Sequence, residues 1–196
     1  KLSVHSLRNI GWRDRSGAVN SEVYGSGLQV ENEASAYEAA RTLSEGLARN
    51  ALAAEVNGED KDIRTALHDG DQLSILTFDD EYGKHAFHHS SSHLLAQAVK
   101  RLYPEAKLAI RPPSLDGFYY DIEFKEPITD EDLPAIEAEM KKIVQEKQVI
   151  SRFTKSREDA LAYFEEKDEP YKVELINDLP EDEEIGFYTQ GDFTDL

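Results

Sequence analysis

Cysteine is absent from the 196-residue sequence, which excludes disulfide bonds and thiolate metal sites within it. No apolar run approaches the roughly 18 residues that a membrane helix needs. The N-terminus also lacks the basic-then-apolar order of a signal peptide. From these absences we expect no membrane insertion and a cytoplasmic location.

Basic residues are also scarce, with 22 Lys and Arg against 40 Asp and Glu and a formal net charge of -18. Such a field repels polyanions unless basic groups are gathered locally, so composition alone disfavours nucleic-acid binding. The chain contains only 7 Pro and 11 Gly and is 39% hydrophobic, which is enough to build packed cores. Its length fits two small domains better than one large one.

The first part of the chain carries one helix signal among strand signals. Residues 18–33 have the ragged alternation of short strands. Ser35 precedes Glu38 by three residues, which is capping-box spacing and predicts a helix over residues 35–44. Gly46 follows where a C-terminal cap is expected.

Two turn signals come next, at Asn57-Gly58 and at Asp69-Gly70, each bordered by strand patterns. The order β, β, α, β, β predicts a small α+β domain over residues 1–80, within which residues 1–17 have no clear assignment. Residues 81–87 are interpreted as a linker.

Residues 88–196 predict a second α+β domain, with helices packed on a mainly antiparallel sheet. Its most regular signal is a helix that begins near Thr129, with Asp132 in capping-box spacing and Pro134 in the first turn. The other predicted elements are a helix over residues 88–102, a short helix at "SREDALAYF", and strands at "KLAI", "FYYDIEF", "VISRFTK" and "YKVELI".

His89 and His93 lie four residues apart in the predicted helix 88–102. At about 100° per residue they fall on the side away from Leu95 and Val99, so they face either solvent or a polar cleft. Two such imidazoles can hold a metal ion, act without a metal, or be ordinary surface histidines, and spacing alone leaves the three open. The serines between them fit an N-cap.

A local basic excess follows the histidines. Between His88 and Tyr120 there are four basic and two acidic residues, which predicts either a phosphate-contacting edge or ordinary snorkelling around a helix end. Tyr120 faces inward on the strand alternation, as a core residue or a base-stacking one. The basic residues are Lys100, Arg101, Lys107 and Arg111.

Several segments together, in this order, resemble the N-terminal half of bacterial-type threonyl-tRNA synthetases: "HHSSSHLLAQAVKRLYPEAKLAI", "DGFYYDIEF", "ITDEDLPAIEAEMKKIV", "EPYKVELI" and "GFYTQGDFTDL". The resemblance is strongest over residues 85–196. Residues 18–80, with "GLARNALAAEVNGE" and "DGDQLSILTFDDEYGK", are similar to the TGS domain of that family. The resemblance implies a β-grasp domain followed by an editing domain.

The resemblance also implies an activity, the hydrolysis of seryl-tRNA formed in error for threonine. The family's editing cleft pairs a His-x-x-x-His motif with a Cys-x-x-x-His motif. His89 and His93 match the first, and the second is expected after Leu196, so the chain carries half of the pattern. Lys172, Asp195 and Tyr120 match the family's lysine, acidic residue and pocket tyrosine. The implied roles are water activation by the histidines, stabilisation of the leaving oxygen or oxyanion by Lys172, amino-group binding by Asp195, and a pocket wall at Tyr120.

The implied partner is the acceptor end of tRNA(Thr) with its seryl-adenosine, with Lys100, Arg101, Lys107 and Arg111 as candidate RNA contacts. No cofactor or metal is expected in this segment. ATP, Mg²⁺ and Zn²⁺ are expected in the family's catalytic domain, and homodimer contacts in its later domains. Two alternatives stay open, a free-standing metal-dependent editing hydrolase and a non-catalytic TGS-type module that binds RNA or protein.

Overall fold

The computed structural model describes residues 2–6, 27–31, 33–109 and 117–196, and the chain divides into two compact units, Lys1–Phe87 and His88–Leu196. The α+β class predicted from the sequence is confirmed. The predicted strands over residues 18–26 lie outside the described residues.

The first unit contains a five-stranded sheet and two short helices. The strands are β1 (Leu2–Ser6), β2 (Gly27–Val30), β3 (Ala53–Val56), β4 (Glu59–Asp62) and β5 (Gln72–Leu76), and the helices are α1 (Ala36–Leu43) and α2 (Glu45–Asn50). The sheet order is β2-β1-β5-β3-β4. β1 runs parallel to β5, and the other neighbours are antiparallel. The core residues are Val30, Ala34, Ala36, Ala39, Ala40, Leu47, Ala48, Ala54, Val56, Leu67, Leu73 and Ile75.

The helix predicted from the spacing of Ser35 and Glu38 is confirmed as α1. Ser35 accepts a hydrogen bond from the Glu38 N–H, and the Glu38 carboxylate accepts one from the Ser35 N–H, which is the predicted capping box. Gly46 is not the cap, because Ser44 ends α1 and its side chain caps α2, which contains Gly46.

The linker predicted for residues 81–87 is helical, because α3 runs from Glu81 to Leu102 and the boundary between the units falls within it. Asp80 starts this helix: its carbonyl accepts the Lys84 N–H, and its carboxylate accepts the Thr77 N–H. Gly83 is required in the first turn, since a Cβ there would lie 2.0 Å from the Thr77 carbonyl oxygen. The predicted start at residue 88 is therefore wrong, and Ser90 to Ser92 lie inside the helix.

The second unit contains the rest of α3, three further helices and two small antiparallel sheets. The helices are α4 (Leu133–Glu146), α5 (Arg157–Glu166) and α6 (Pro170–Asp178). One sheet has the order β10-β9-β8, from β8 (Ile150–Lys155), β9 (Ile185–Gln190) and β10 (Phe193–Asp195), and the other pairs β6 (Lys107–Ala109) with β7 (Asp121–Glu123). Two apolar clusters form its core, one of Ala98, Val99, Ala106, Ile136 and Ile143 and one of Ala160, Phe164, Ile176, Ile185 and Phe187.

The strand predicted at "YKVELI" is wrong, because these residues belong to α6. Pro170 occupies the first turn, where its fixed φ and missing N–H suit a helix. Lys172 and Ile176, four residues apart, are the buried residues on its inner face. The strand predicted at "FYYDIEF" is confirmed only for Asp121–Glu123.

Candidate functional site

The two histidines touch each other on α3. Their Nε2 atoms are 2.8 Å apart, and their rings stack with centroids separated by 4.7 Å. His93 is only 5% exposed, and Gln97 on the same side is 1% exposed. The prediction that this side of the helix leaves the packed interior is therefore wrong for His93. Ser92 donates to the His89 carbonyl within the helix rather than capping it.

Lys172, Asp195 and Tyr120 form a closed triangle of hydrogen bonds. Lys172 Nζ lies 2.7 Å from Asp195 Oδ1 and donates to the Tyr120 hydroxyl at 3.1 Å. The Tyr120 hydroxyl donates to Asp195 Oδ2 at 3.2 Å. Lys172 and Asp195 are 1% and 2% exposed, so the pair is shielded from water. Three separate elements supply the triangle, namely α6, the end of β10, and the residue before β7.

Asp195 joins the triangle to the histidines. Its Oδ2 lies 3.8 Å from His93 Nδ1, while His93 Nε2 faces His89. Both carboxylate oxygens of Asp195 therefore have partners within the chain. The resemblance implies that Asp195 binds the amino group of a substrate. That amino group would have to share one of these oxygens with a side chain that already contacts it.

Tyr188 is a member of the site that sequence reasoning missed. Its ring lies 5.1 Å from the His89 ring and 5.4 Å from the His93 ring, centroid to centroid. In the sheet it stands directly opposite Asp195. Cross-strand partners share a face, so Tyr188 supports both imidazoles from the strand next to Asp195. The alternation of "IGFYTQ", with Ile185 and Phe187 in the core, is the signal that could have placed Tyr188 on the opposite face.

Burial shifts the pKa values of His93, Lys172 and Tyr120. It lowers the pKa of His93 to about 4, against the opposing effect of the Asp195 carboxylate, while His89 and Lys172 lower it further. Burial also lowers the pKa of Lys172, which Asp195 opposes. Burial, reinforced by Asp195, raises the pKa of Tyr120 well above its usual range. At neutral pH His93 is therefore a neutral base and Tyr120 a hydrogen-bond donor.

The geometry does not suit a metal ion. Across the described ranges, no group of three or more His, Cys, Asp or Glu side chains is arranged to hold one. The two nitrogens of His93 face His89 and Asp195 respectively.

Four basic residues were predicted to contact phosphate. The three of them that the structure describes form ion pairs with carboxylates of the chain. Lys100 lies 2.5 Å from Glu169, and Lys107 pairs with Asp168. Arg101 bonds both oxygens of Glu146, at 2.7 and 3.0 Å, and contacts Glu139 and Asp192. Arg111 lies outside the described residues. The role of these four residues in RNA binding stays a prediction, and three of them would have to exchange a carboxylate for a phosphate.

Glu169 is a second residue that sequence reasoning missed. It is 5% exposed and bonds Lys100 of α3 and the Leu108 N–H of β6, at 2.5 and 3.1 Å. It immediately precedes α6, and its carbonyl accepts the Lys172 N–H. Glu169 therefore fixes the start of α6, from which Lys172 projects, against α3 and β6. Its only sequence signal was its place before Pro170.

A cavity of about 180 Å³ shares Asp195 with the site, but its lining does not include His89, His93, Lys172 or Tyr120. Its lining includes Asp195 and Thr194 on β10, Lys100 on α3, and Glu169. The rest of the lining is mixed, with Leu108, Phe164 and Phe193 among its apolar members.

Comparison with known proteins finds one matching domain family and several similar proteins. Residues 23–77 match the TGS domain. The threonine–tRNA ligase of Acetivibrio thermocellus is 58% identical over 159 residues, covering 81% of the chain and 25% of that protein. The ligases of Clostridioides difficile and Caldanaerobacter subterraneus are 53% and 49% identical over 172 residues, in each case 88% of the chain and 27% of the relative. The chain is a homologue of the N-terminal region of bacterial threonine–tRNA ligases.

The homology to threonine–tRNA ligase is not limited to the TGS segment, because matches of 159 and 172 residues are longer than either compact unit. The chain spans about a quarter of the length of these ligases. Within the described parts of the chain, every helix is too short or too polar to cross a membrane.

Proposed function

We propose that the unit His88–Leu196 is the proofreading part of a threonine–tRNA ligase, which removes serine from mischarged tRNA(Thr) by hydrolysing the aminoacyl ester. The observation that carries this proposal is the continuous set of contacts His89–His93–Asp195–Lys172–Tyr120. It places a neutral imidazole and a buried ammonium around one carboxylate, which provides a base and an electrophile for ester hydrolysis.

The need for such a reaction follows from the chemistry of threonine selection. A synthetic site built for the threonine hydroxyl also accepts serine, which lacks only a methyl group worth about 1–3 kcal/mol. A second site that admits serine and excludes the extra methyl completes a double sieve. We assign that exclusion to a wall that includes Tyr120, whose hydroxyl is fixed by Lys172 and Asp195.

In the proposed step, the oxygen of a water molecule bonds to the ester carbonyl carbon and gives one proton to the imidazole pair His89/His93. The carbon–oxygen bond to the ribose then breaks, and the ribose oxygen takes a proton back. Lys172 stabilises the negative charge on the carbonyl or ribose oxygen. Asp195 keeps Lys172 protonated and orients His93, and in this proposal these positioning roles replace direct binding of the amino group.

We extend the proposal to the whole ligase, which would join threonine to its tRNA in the cytoplasm as a homodimer. ATP, Mg²⁺ and Zn²⁺ would then bind in the three-quarters of the relatives' length that the chain does not match. The acceptor end of the tRNA would reach the editing unit with its seryl-adenosine.

The test is the release of serine from Ser-tRNA(Thr) by the full-length protein that carries this chain. His93→Gln should lower the rate by about 10²–10⁴-fold, the usual contribution of a positioned base. His85→Gln is the matched control, because His85 is an exposed histidine of the same helix. A normal rate in His93→Gln contradicts the assignment. Zinc bound in the purified protein and required for hydrolysis would favour a metal-dependent hydrolase, and absence of hydrolysis in the unmutated protein would favour a binding module.

A further inference from the structure

Arg152 lies on the edge strand β8. Among the residues that the structure describes, no carboxylate forms an ion pair with its guanidinium. It is exposed, whereas Lys100, Arg101 and Lys107 each contact at least one carboxylate. The chain around it carries a formal charge of -18, so an exposed cation without a carboxylate partner is a local site of attraction for anions. Its guanidinium is planar and can bind a phosphate through two parallel hydrogen bonds.

The sheet register places Arg152 on the same face as the site. Arg152 stands opposite Tyr188, and Tyr188 stands opposite Asp195 on its other side. Directly paired residues point to the same face, so the three side chains form one row across β8, β9 and β10. Two strand spacings separate the ends of this row, which is about 10 Å between the Arg152 and Asp195 backbones.

Gly186 leaves room for the guanidinium of Arg152, which lies over it. A Cβ at Gly186 would lie 3.3 Å from one guanidinium nitrogen of Arg152 and 3.5 Å from another. Gly186 is not among the glycines with positive φ, so its backbone conformation does not require glycine. A glycine within a strand often marks a place where a ligand approaches the backbone closely. A side chain at Gly186 would require the Arg152 guanidinium to shift.

We propose that Arg152, whose guanidinium lies over Gly186, binds the RNA backbone phosphate next to the aminoacylated ribose of the substrate. This inference rests on the proposed hydrolysis of an aminoacyl ester. With the ester at His93, Asp195 and Lys172, the nucleotide that bears it extends across Tyr188 toward β8. Its phosphodiester then lies next to Arg152, the residue of this row that carries a cation without a carboxylate partner.

Lys155 provides a matched control on the same strand. It lies three residues from Arg152 and therefore on the opposite face, where its ammonium sits 5.8–5.9 Å from the ring centroids of Phe153, Tyr163 and Phe187. Arg152→Gln and Lys155→Gln change the net charge of the protein equally. A difference between them therefore reports position and not total charge.

The experiment compares two ester substrates with the full-length protein. One is 3′-seryl-adenosine, which has no phosphate, and the other is the 3′-seryl ester of the dinucleotide CpA, which has one phosphodiester. For the dinucleotide, Arg152→Gln should raise KM about tenfold with little change in kcat, as expected for one lost charge-assisted hydrogen-bond pair. For 3′-seryl-adenosine it should change neither constant, and Lys155→Gln should leave both substrates unaffected.

Binding of the non-hydrolysable 3′-serylamino analogues of the same two compounds separates this inference from the proposed function. A loss of affinity confined to the phosphate-bearing analogue supports the Arg152 contact even in a protein that hydrolyses neither ester, and in that case the proposed hydrolysis is what fails. An equal effect of Arg152→Gln on both analogues, an effect equal to that of Lys155→Gln, or no binding of either analogue by the unmutated protein overturns the phosphate contact.

Discussion

Replacing Asp195 with Asn tests whether Lys172 and Asp195 form a buried ion pair. Both side chains are almost completely shielded from water, and Nζ lies 2.7 Å from Oδ1. Removing one partner leaves the other charge uncompensated, which costs about 3–5 kcal/mol in buried pairs of this kind. Asn keeps the shape and an acceptor for Tyr120, so the loss reports the missing charge and not a cavity. We therefore expect Asp195→Asn to destabilise the second unit by that amount.

The double variant Lys172→Met with Asp195→Leu should recover most of this loss, because replacing both partners of a buried pair with apolar residues is often neutral. The exposed pair Lys141–Glu137 serves as a control, since Glu137→Gln should cost less than about 1 kcal/mol. Hydrogen exchange measured by mass spectrometry on peptides from residues 157–196 gives the opening free energy of this unit alone.

The expected pH dependence gives a second readout. Loss of Asp195 removes the effect that opposes the lowered pKa of Lys172, so the folded pKa falls further below its unfolded value of 10.5. The stability of Asp195→Asn should then fall as pH falls below 10.5, because the unfolded state binds the proton first. A penalty under about 1 kcal/mol in Asp195→Asn, equal to that of the exposed control, would refute the buried-pair reasoning.

The remaining predictions concern His93 and the first unit. Because the pKa of His93 falls from 6.5 to about 4 on folding, the unfolded state takes up a proton first, and stability should drop by about 3 kcal/mol as pH falls from 6.5 to 4. His93→Gln should flatten that slope in urea titrations, and an unchanged slope would contradict it. Gly83→Ala should destabilise the first unit by about 1–3 kcal/mol, because its Cβ meets the Thr77 carbonyl. Ser35→Ala should cost about 1 kcal/mol through loss of the capping box, and thermal unfolding that matches the unmutated protein would contradict either change.

Sequence reasoning succeeded where local chemistry decides the structure. The capping box at Ser35 and the turn at Asn57-Gly58 each depend on residues within three positions of one another. The residues 171–176 were misread because a six-residue run with Val and Ile fits a strand as well as a helix turn. Only the tertiary burial of Lys172 and Ile176 on one side selects the helix.

The candidate site shows a different limit of prediction from sequence. The resemblance identified five of the residues that meet, yet nothing local indicates that Asp195 bonds Tyr120 and Lys172 across 75 and 23 residues of sequence. Helical periodicity also placed His93 away from the core. α3 is enclosed on several sides, with Ala96, Ala98 and Val99 all buried, so a helical wheel with one packed face does not describe it.

The acidic composition is compatible with the proposed RNA substrate when each charge is considered with its position and its ion-pair partner. In the second unit, carboxylates contact Lys100, Arg101, Lys107, Lys125, Lys141, Lys142 and Lys172. Each of these pairs removes a cation that would otherwise attract RNA without regard to position. Repulsion by the remaining acidic residues then favours approaches that bring a phosphate to a cation without a carboxylate partner. Arg152 satisfies that condition on the face that carries Asp195, so the excess of acid would contribute to placing the RNA end at the site.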